Sequence, residues 1–152
     1  MGGVVSEDWA MAKAAPAFAA HFTDPIYEEV SDDTTPFGSD EGADMLATWD
    51  ERRDELGPDS TVADVLEGDP QEFLSSNAFE DAIAVQAAGF TLLRLTGQID
   101  AEGKQATLAA LDQLMSPDRF GKNPAMIRQR DDLLSWTEQA HSHRQMSAQP
   151  LE

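Results

Sequence analysis

Helix start and stop signals and the spacing of apolar residues predict an all-α protein, a compact orthogonal bundle of about six or seven helices. Capping residues, N1 prolines and C-terminal glycines recur along the 152 residues, and no run of alternating β-branched residues suggests a strand. The most hydrophobic segment, about Ala78–Thr96, carries apolar side chains around most of its circumference. Such a segment is expected to be the central buried helix of the bundle.

Five shorter helical segments are predicted before this central helix, each from a capping residue or an N1 proline. The first is expected to run from a Ser6 cap to about Phe18, with Pro16 kinking it. The next four are a short turn from Asp24-Pro25, a helix from about Asp40 to Leu56 stopped by Gly57-Pro58, a Ser60-capped helix over Thr61–Glu67, and a helix from Asp69-Pro70 to about Leu74.

Two helices are predicted after the central one, which Gly97 is expected to end. Asp100 caps the first, Ala101–Met115, and Asn123-Pro124 begins the second. The apolar residues expected to face inward from the last helix are Met126, Ile127, Leu133, Leu134 and Trp136. Residues 1–141 are therefore expected to form a single helical domain. Residues 142–152 are expected to be a flexible tail, and the final Leu151-Glu152 is consistent with a cloning remnant.

The charge of the chain is concentrated in one half. The formal net charge is −19, with 29 acidic and 10 basic side chains. Residues 1–81 carry 21 acids and 3 basic residues, whereas residues 82–141 are nearly neutral. Direct nucleic-acid binding is not expected from such a chain, because it depends on phosphate neutralisation by Lys and Arg.

The amino end and the apolar stretches bear on compartment and membrane association. The first residues are acidic where a secretory signal needs a basic region, and the longest apolar stretch is too short to span a bilayer. The chain is therefore expected to be soluble and cytoplasmic, without membrane association. It has no cysteine, which removes thiol nucleophiles and thiolate metal ligands.

The most distinctive motif is the block Pro36-Phe-Gly-Ser-Asp-Glu-Gly42, which follows an acidic stretch and precedes a helix. In this block and its surroundings, the sequence resembles the YfeS-like family of uncharacterised bacterial proteins. The resemblance implies a bacterial protein and a location for function, but no reaction.

The loop around this block is the candidate binding site. Its candidate residues are Asp32, Asp33, Phe37, Gly38, Ser39, Asp40, Glu41 and Asp44. A structural interpretation makes Ser39 a helix cap, Asp40 and Glu41 first-turn acids, and Phe37 a core residue. Alternatively the carboxylates bind Mg²⁺ or Ca²⁺, although their spacing does not follow the EF-hand pattern, or the loop binds a partner.

Two functions fit this pattern. The first is a non-catalytic binding or regulatory protein that presents an acidic surface to a basic protein partner. The alternative is a divalent-metal-dependent enzyme that uses the Asp32–Asp44 acidic loop. The first is favoured, because no nucleophile motif or complete metal-ligand set is present; no catalytic residue or cofactor is predicted. The basic residues around Lys122, among them Arg119, Arg128 and Arg130, are expected to form a solvated face that pairs with acids of the same chain.

Overall fold

The computed structural model describes residues 11–148, with side chains described for residues 11–136. This part of the chain contains seven α-helices, two short 3₁₀ helices and no β-strand, which confirms the all-α prediction. The α-helices are α1 (Pro16–His21), α2 (Asp40–Glu51), α3 (Val62–Leu66), α4 (Pro70–Ser75), α5 (Phe79–Thr96), α6 (Ala101–Leu114) and α7 (Pro124–Ala148). The 3₁₀ helices are Pro25–Glu28 and Arg53–Glu55.

Helix α5 is the centre of the bundle, as its composition predicts. Fourteen of its 18 residues are buried. It packs against α1, α2, α3, α4 and α6, while α7 packs against α6. Gly97 ends α5 in a left-handed conformation, with φ at +75°, and its N–H donates to the Leu93 carbonyl at 2.8 Å. A residue with a β-carbon rarely adopts that conformation, which explains the glycine.

Side-chain caps begin most of the helices. Ser39, Asp69 and Asp100 each accept a hydrogen bond from a backbone N–H in the first turn that follows, as predicted. The cap of α3 is Thr61 and not the predicted Ser60. Thr61 exchanges reciprocal hydrogen bonds with Asp64, at 3.1 and 2.9 Å, in a capping box that Ser60 lies one residue too early to form.

Two predicted helix boundaries are wrong. Pro16 does not kink a helix but begins α1 at its N1 position, where a missing N–H costs nothing. The predicted Ser6 cap lies outside the described residues. Helix α2 ends at Glu51, and the chain continues through the 3₁₀ helix Arg53–Glu55 instead of one helix to Leu56. No basic residue stabilises the last turn of α2, where carboxylates oppose the helix dipole.

Two residues of α7 do not face inward as predicted. Ile127 is 41% exposed and Leu134 is 38% exposed. The buried positions are Met126, Gln129, Leu133 and Trp136, a narrow stripe at spacings of three, four and three residues. Only that stripe is covered, because the neighbours of α7 lie on one side of it: Gln129 bonds to Gln86 of α5 and to the Thr34 carbonyl, and Trp136 lies 5.5 Å from the His21 ring, centroid to centroid. The helix continues to Ala148, so the predicted tail from residue 142 overlaps it, and residues 149–152 lie outside the described part.

A buried polar network joins the loop before α2 to two helices. Gln86 of α5 donates to the side-chain oxygen of Gln129 of α7 at 2.7 Å. Gln129 in turn donates to the Thr34 carbonyl at 2.7 Å. Buried amides need such partners, and here they fix the loop against both helices. No helix in the described part of the chain is both long enough and apolar enough to cross a bilayer.

Candidate functional site

The segment Pro36–Gly42 is anchored in the protein core. Phe37 is only 1% exposed and lies 6.4 Å from the Phe18 ring, centroid to centroid. The guanidinium of Arg94 lies over the Phe37 ring at 5.3 Å. Thr34, Thr35 and Pro36 are buried as well. The backbone that carries the predicted site is therefore held by packing on one side.

Two glycines let this segment fold back on itself. A β-carbon on Gly38 would collide with the Asp32 carbonyl oxygen and the Thr35 hydroxyl, and one on Gly42 would collide with the Pro36 carbonyl oxygen. Because Gly38 has no β-carbon, the Asp32 carbonyl oxygen can approach it closely, and Gly38 directly precedes the Ser39 cap. Asp32 and the start of α2 are thus neighbours in space.

Side-chain hydrogen bonds complete the turn. The Asp32 carboxylate accepts from the Thr34 backbone N–H at 2.9 Å and from the Thr34 hydroxyl at 2.6 Å. These two hydrogen bonds lower the pKa of Asp32, so its negative charge persists below the usual range of an aspartate. The Ser39 hydroxyl accepts from the Gly42 N–H at 3.0 Å and caps α2.

The carboxylates of the site point to solvent. Five of the eight predicted site residues are exposed, and none of the five forms an ion pair among the described residues. We call these five residues the acidic face: Asp32, Asp33, Asp40, Glu41 and Asp44. Asp44 lies one helical turn after Asp40 and Glu41, on the same side of α2. The other three predicted residues, Phe37, Gly38 and Ser39, build the turn beneath.

Most carboxylates of the first half form no ion pair among the described residues. Residues 11–81 contain nineteen carboxylates, and five of them form ion pairs among the described residues: Asp24, Glu28, Asp50, Glu55 and Glu67. Only two of these five pair with a base from the second half, Glu28 with Arg94 and Asp24 with Arg128. Most carboxylates of residues 11–81 are therefore not neutralised by an ion pair within the described residues.

Helix α2 carries acids where they do not stabilise it. Asp40 and Glu41 favour the helix start, but Asp44 repels both of them at spacings of four and three residues. Glu51 is the last residue of α2, where the helix dipole favours a positive charge. No requirement of the fold explains Asp44 or Glu51.

The acidic face does not assemble a metal-ligand set. Within the described residues, no three His, Asp or Glu side chains lie together in a way that would hold a metal ion. Calcium sites in proteins need six to eight oxygen ligands, and magnesium sites need near-octahedral geometry. The arrangement is suited to long-range attraction of a positively charged surface, with carboxylates that are spread over a turn and a helix.

The largest omission of the sequence interpretation is Arg94. Its side chain is 3% exposed, donates to the Ala12 and Tyr27 carbonyls at 2.7 and 3.1 Å, and pairs with Glu28 at 2.7 Å. Arg94 lies in the last turn of α5, a helix that is otherwise almost wholly buried. Its long-range partners leave no local signal in the sequence.

The basic neighbourhood after α6 pairs partly within the chain, as expected. Arg128 contacts Asp132 at 2.9 Å, and Arg130 contacts Asp112 at 2.9 Å. Arg119 forms no ion pair among the described residues. It donates to the Asn77 carbonyl at 2.5 Å instead.

Comparison with known proteins identifies one short similarity. A segment of 31 residues is 61% identical to the uncharacterized protein YfeS of Escherichia coli K12. That segment covers 20% of this chain and 13% of YfeS, so the match spans about an eighth of that relative's length. No protein-family model matches the chain, and no solved structure does. The match confirms the resemblance to YfeS-like proteins, and this chain is similar to YfeS over that segment.

Proposed function

We propose that this protein is a non-catalytic binding or regulatory protein that presents its acidic face to a basic protein partner. The observation that carries the proposal is a set of exposed carboxylates that form no ion pair among the described residues and lie on a turn and a helix that the core holds in place. Asp44 supports the proposal further, because its carboxylate repels those of Asp40 and Glu41 and so destabilises the helix that carries it. Charges retained against local stability are typical of functional surfaces.

The physical role of the acidic face would be to attract and orient the partner. Clustered charges of one sign raise association rates with oppositely charged surfaces and repel surfaces of the same sign. At physiological salt this field extends about 8 Å, so it acts during the final approach. A rigid turn beneath the carboxylates limits the entropy lost when the partner binds.

A pair of matched triple variants tests the proposal. Asp40→Asn, Glu41→Gln and Asp44→Asn together remove three charges from the acidic face. The control is Glu80→Gln, Glu102→Gln and Asp131→Asn, which removes three charges from residues on α5, α6 and α7 that form no ion pair among the described residues. Both triple variants change the net charge equally, so they distinguish binding at the acidic face from binding that depends only on the net charge of the protein.

The measurement is capture from a bacterial lysate at low and at physiological salt, followed by the affinity of each purified captured protein. We expect a basic protein to bind the parent and the control triple, and to bind the acidic-face triple at least about tenfold more weakly. If no basic protein is retained at low salt, or if both triples bind equally, the proposal is wrong. The described residues supply no observation that favours the metal-dependent alternative.

A further inference from the structure

One turn of helix α7 holds the chain segment that leads into the acidic face. The Asp132 carboxylate accepts from the Tyr27 hydroxyl at 2.8 Å, and the Asp132 carbonyl oxygen lies 2.8 Å from the ring nitrogen Nε2 of His21. Arg128 forms an ion pair with Asp24 at 3.6 Å. The segment before the acidic loop is therefore attached to α7 at three of its residues.

Gln129, on the same turn of α7, extends this attachment into the loop itself. Its side chain is fully buried, and its amide nitrogen donates to the Thr34 carbonyl at 2.7 Å and to the Ala125 carbonyl at 3.1 Å. Because carbonyl oxygens only accept, the nitrogen end of the amide must face them. The oxygen end accepts from the Gln86 amide at 2.7 Å. The Gln86 nitrogen lies 3.4 Å from the Thr34 carbonyl, so Gln129 makes the short contact with the loop.

The two buried glutamines are explained by this contact. Glutamine is mostly exposed in proteins, yet Gln86 is 1% exposed and Gln129 is 0% exposed. Removing two amides from water costs free energy that a pair of apolar side chains of similar volume would avoid. The amides provide a donor for the Thr34 carbonyl, which an apolar pair would leave without one.

Thr34 connects this buried contact to the acidic face. Its backbone N–H and its hydroxyl donate to the Asp32 carboxylate at 2.9 and 2.6 Å. The backbone N–H and the hydroxyl of Thr35 donate to the Asp32 carbonyl at 3.0 and 2.7 Å. Ordering an exposed turn costs conformational entropy, which the buried hydrogen bond at Thr34 helps to offset. The position of Asp32 at the surface thus depends on a contact in the core.

We propose that Gln129 is a positioning residue of the acidic face, which holds the Thr34 carbonyl and thereby fixes the Asp32 carboxylate where a basic partner meets it. This inference rests on the proposed function and adds that α7 controls the geometry of the acidic face. Gln129 acts through Thr34, since a fully buried side chain does not reach a partner. A carboxylate that is already fixed loses less conformational entropy when the partner binds.

The pKa of the Asp32 carboxyl group, measured by NMR titration, tests the positioning without any partner. The hydrogen bonds from Thr34 lower the pKa of Asp32 in the parent. Gln129→Met fills a similar space but donates no hydrogen bond, so we expect the pKa of Asp32 to rise toward that of a free aspartate. We also expect hydrogen exchange at the Thr34 and Thr35 amides to become at least about tenfold faster, because the turn opens locally.

Gln86→Met is the matched control. It makes the same substitution at an equally buried amide of the same network, but it leaves the 2.7 Å hydrogen bond from Gln129 to Thr34 in place. We expect the pKa of Asp32 in this variant to stay near the parent value. Circular dichroism checks that each variant folds. If Gln129→Met does not, Gln129→Asn decides, because its amide is one methylene too short to reach Thr34.

Partner binding is measured with the captured basic protein. We expect Gln129→Met to bind it about threefold more weakly, although every carboxylate of the acidic face is kept, and Gln86→Met to bind as the parent does. The inference is wrong if the pKa of Asp32 is unchanged in Gln129→Met, if it rises equally in Gln86→Met, or if Gln129→Met binds as the parent does. Failure of the proposed function is a different result, the absence of a captured partner for the parent as well, and the titration of Asp32 then still decides whether Gln129 positions it.

Discussion

Gly38 and Gly42 lie where a β-carbon has no room. At both positions the obstacle is a backbone carbonyl oxygen, of Asp32 or of Pro36, which cannot rotate away as a side chain would. We expect Gly38→Ala and Gly42→Ala each to lower the free energy of unfolding by about 2 kcal/mol or more, measured by urea denaturation. Gly57 is the matched control, because a β-carbon there meets nothing within 4 Å. Gly57→Ala should be neutral, and equal losses at all three positions would contradict the account.

Arg94 should matter far more than the carboxylate it pairs with. Arg94→Met leaves the Ala12 and Tyr27 carbonyls without their buried donor, and we expect the free energy of unfolding to fall by about 3 kcal/mol. Glu28 is 62% exposed, so Glu28→Gln should cost less than about 1 kcal/mol. Denaturation of both variants measures the contrast. Similar losses would mean that the ion pair, and not the backbone contacts, stabilises this region.

Tyr27 provides a test by pH, because it is the single tyrosine of the chain. It is fully buried and donates to the Asp132 carboxylate at 2.8 Å. Burial first, and then the bond to Asp132, raise the pKa of Tyr27 far above that of a free tyrosine. The neutral phenol is thus the form that the folded state favours.

The sign of the pH effect follows from linkage. A raised pKa in the folded state contributes stability that is present below the unfolded value, about 10, and is lost as pH rises above it. We expect no phenolate absorbance at 295 nm until the protein unfolds, and a loss of stability above about pH 10 that Tyr27→Phe reduces. Phenolate formation near pH 10 in the folded protein would contradict the buried hydrogen bond.

At the scale of elements, α2 is where stability and function should separate. Asp44→Lys replaces a repulsive pair with Asp40 by an attractive one at the same spacing. Glu51→Lys places a positive charge at the helix end that favours it. We expect each change to raise the free energy of unfolding by about 0.5 kcal/mol, measured by denaturation. Asp44→Lys should also weaken partner binding; if it destabilises the fold, the carboxylate has a structural role.

Local signals predicted the elements that depend on local contacts. Asp100, Asn123-Pro124 and Gly97 mark helix ends in the sequence, and the structure places those ends within a residue or so. The inward face of α7 was predicted less well, because Ile127 and Leu134 follow the same apolar spacing as their buried neighbours. Which of those residues is covered depends on which side of α7 its neighbours lie, and spacing along one helix does not contain that information.

The charge asymmetry of the chain was predicted from the sequence, and among the described residues most acids of the first half form no ion pair. The acids could be assigned to the first half of the chain because counting charged residues along a sequence requires no knowledge of the fold. The buried hydrogen bonds of Arg94, and those from Gln113 to the Leu74 carbonyl and from Arg119 to the Asn77 carbonyl, join residues 39 to 82 positions apart. Contacts at such separations have no periodic signature, so the sequence alone did not reveal them.

The salt dependence of association tests most directly whether the acidic face attracts a basic partner. The association rate constant of the captured basic partner is measured at several ionic strengths for the parent, the acidic-face triple and the control triple. We predict that the rate constant falls steeply with salt for the parent and the control triple, and clearly less steeply for the acidic-face triple. Identical salt dependence in all three proteins would contradict the claim that the acidic face guides a partner.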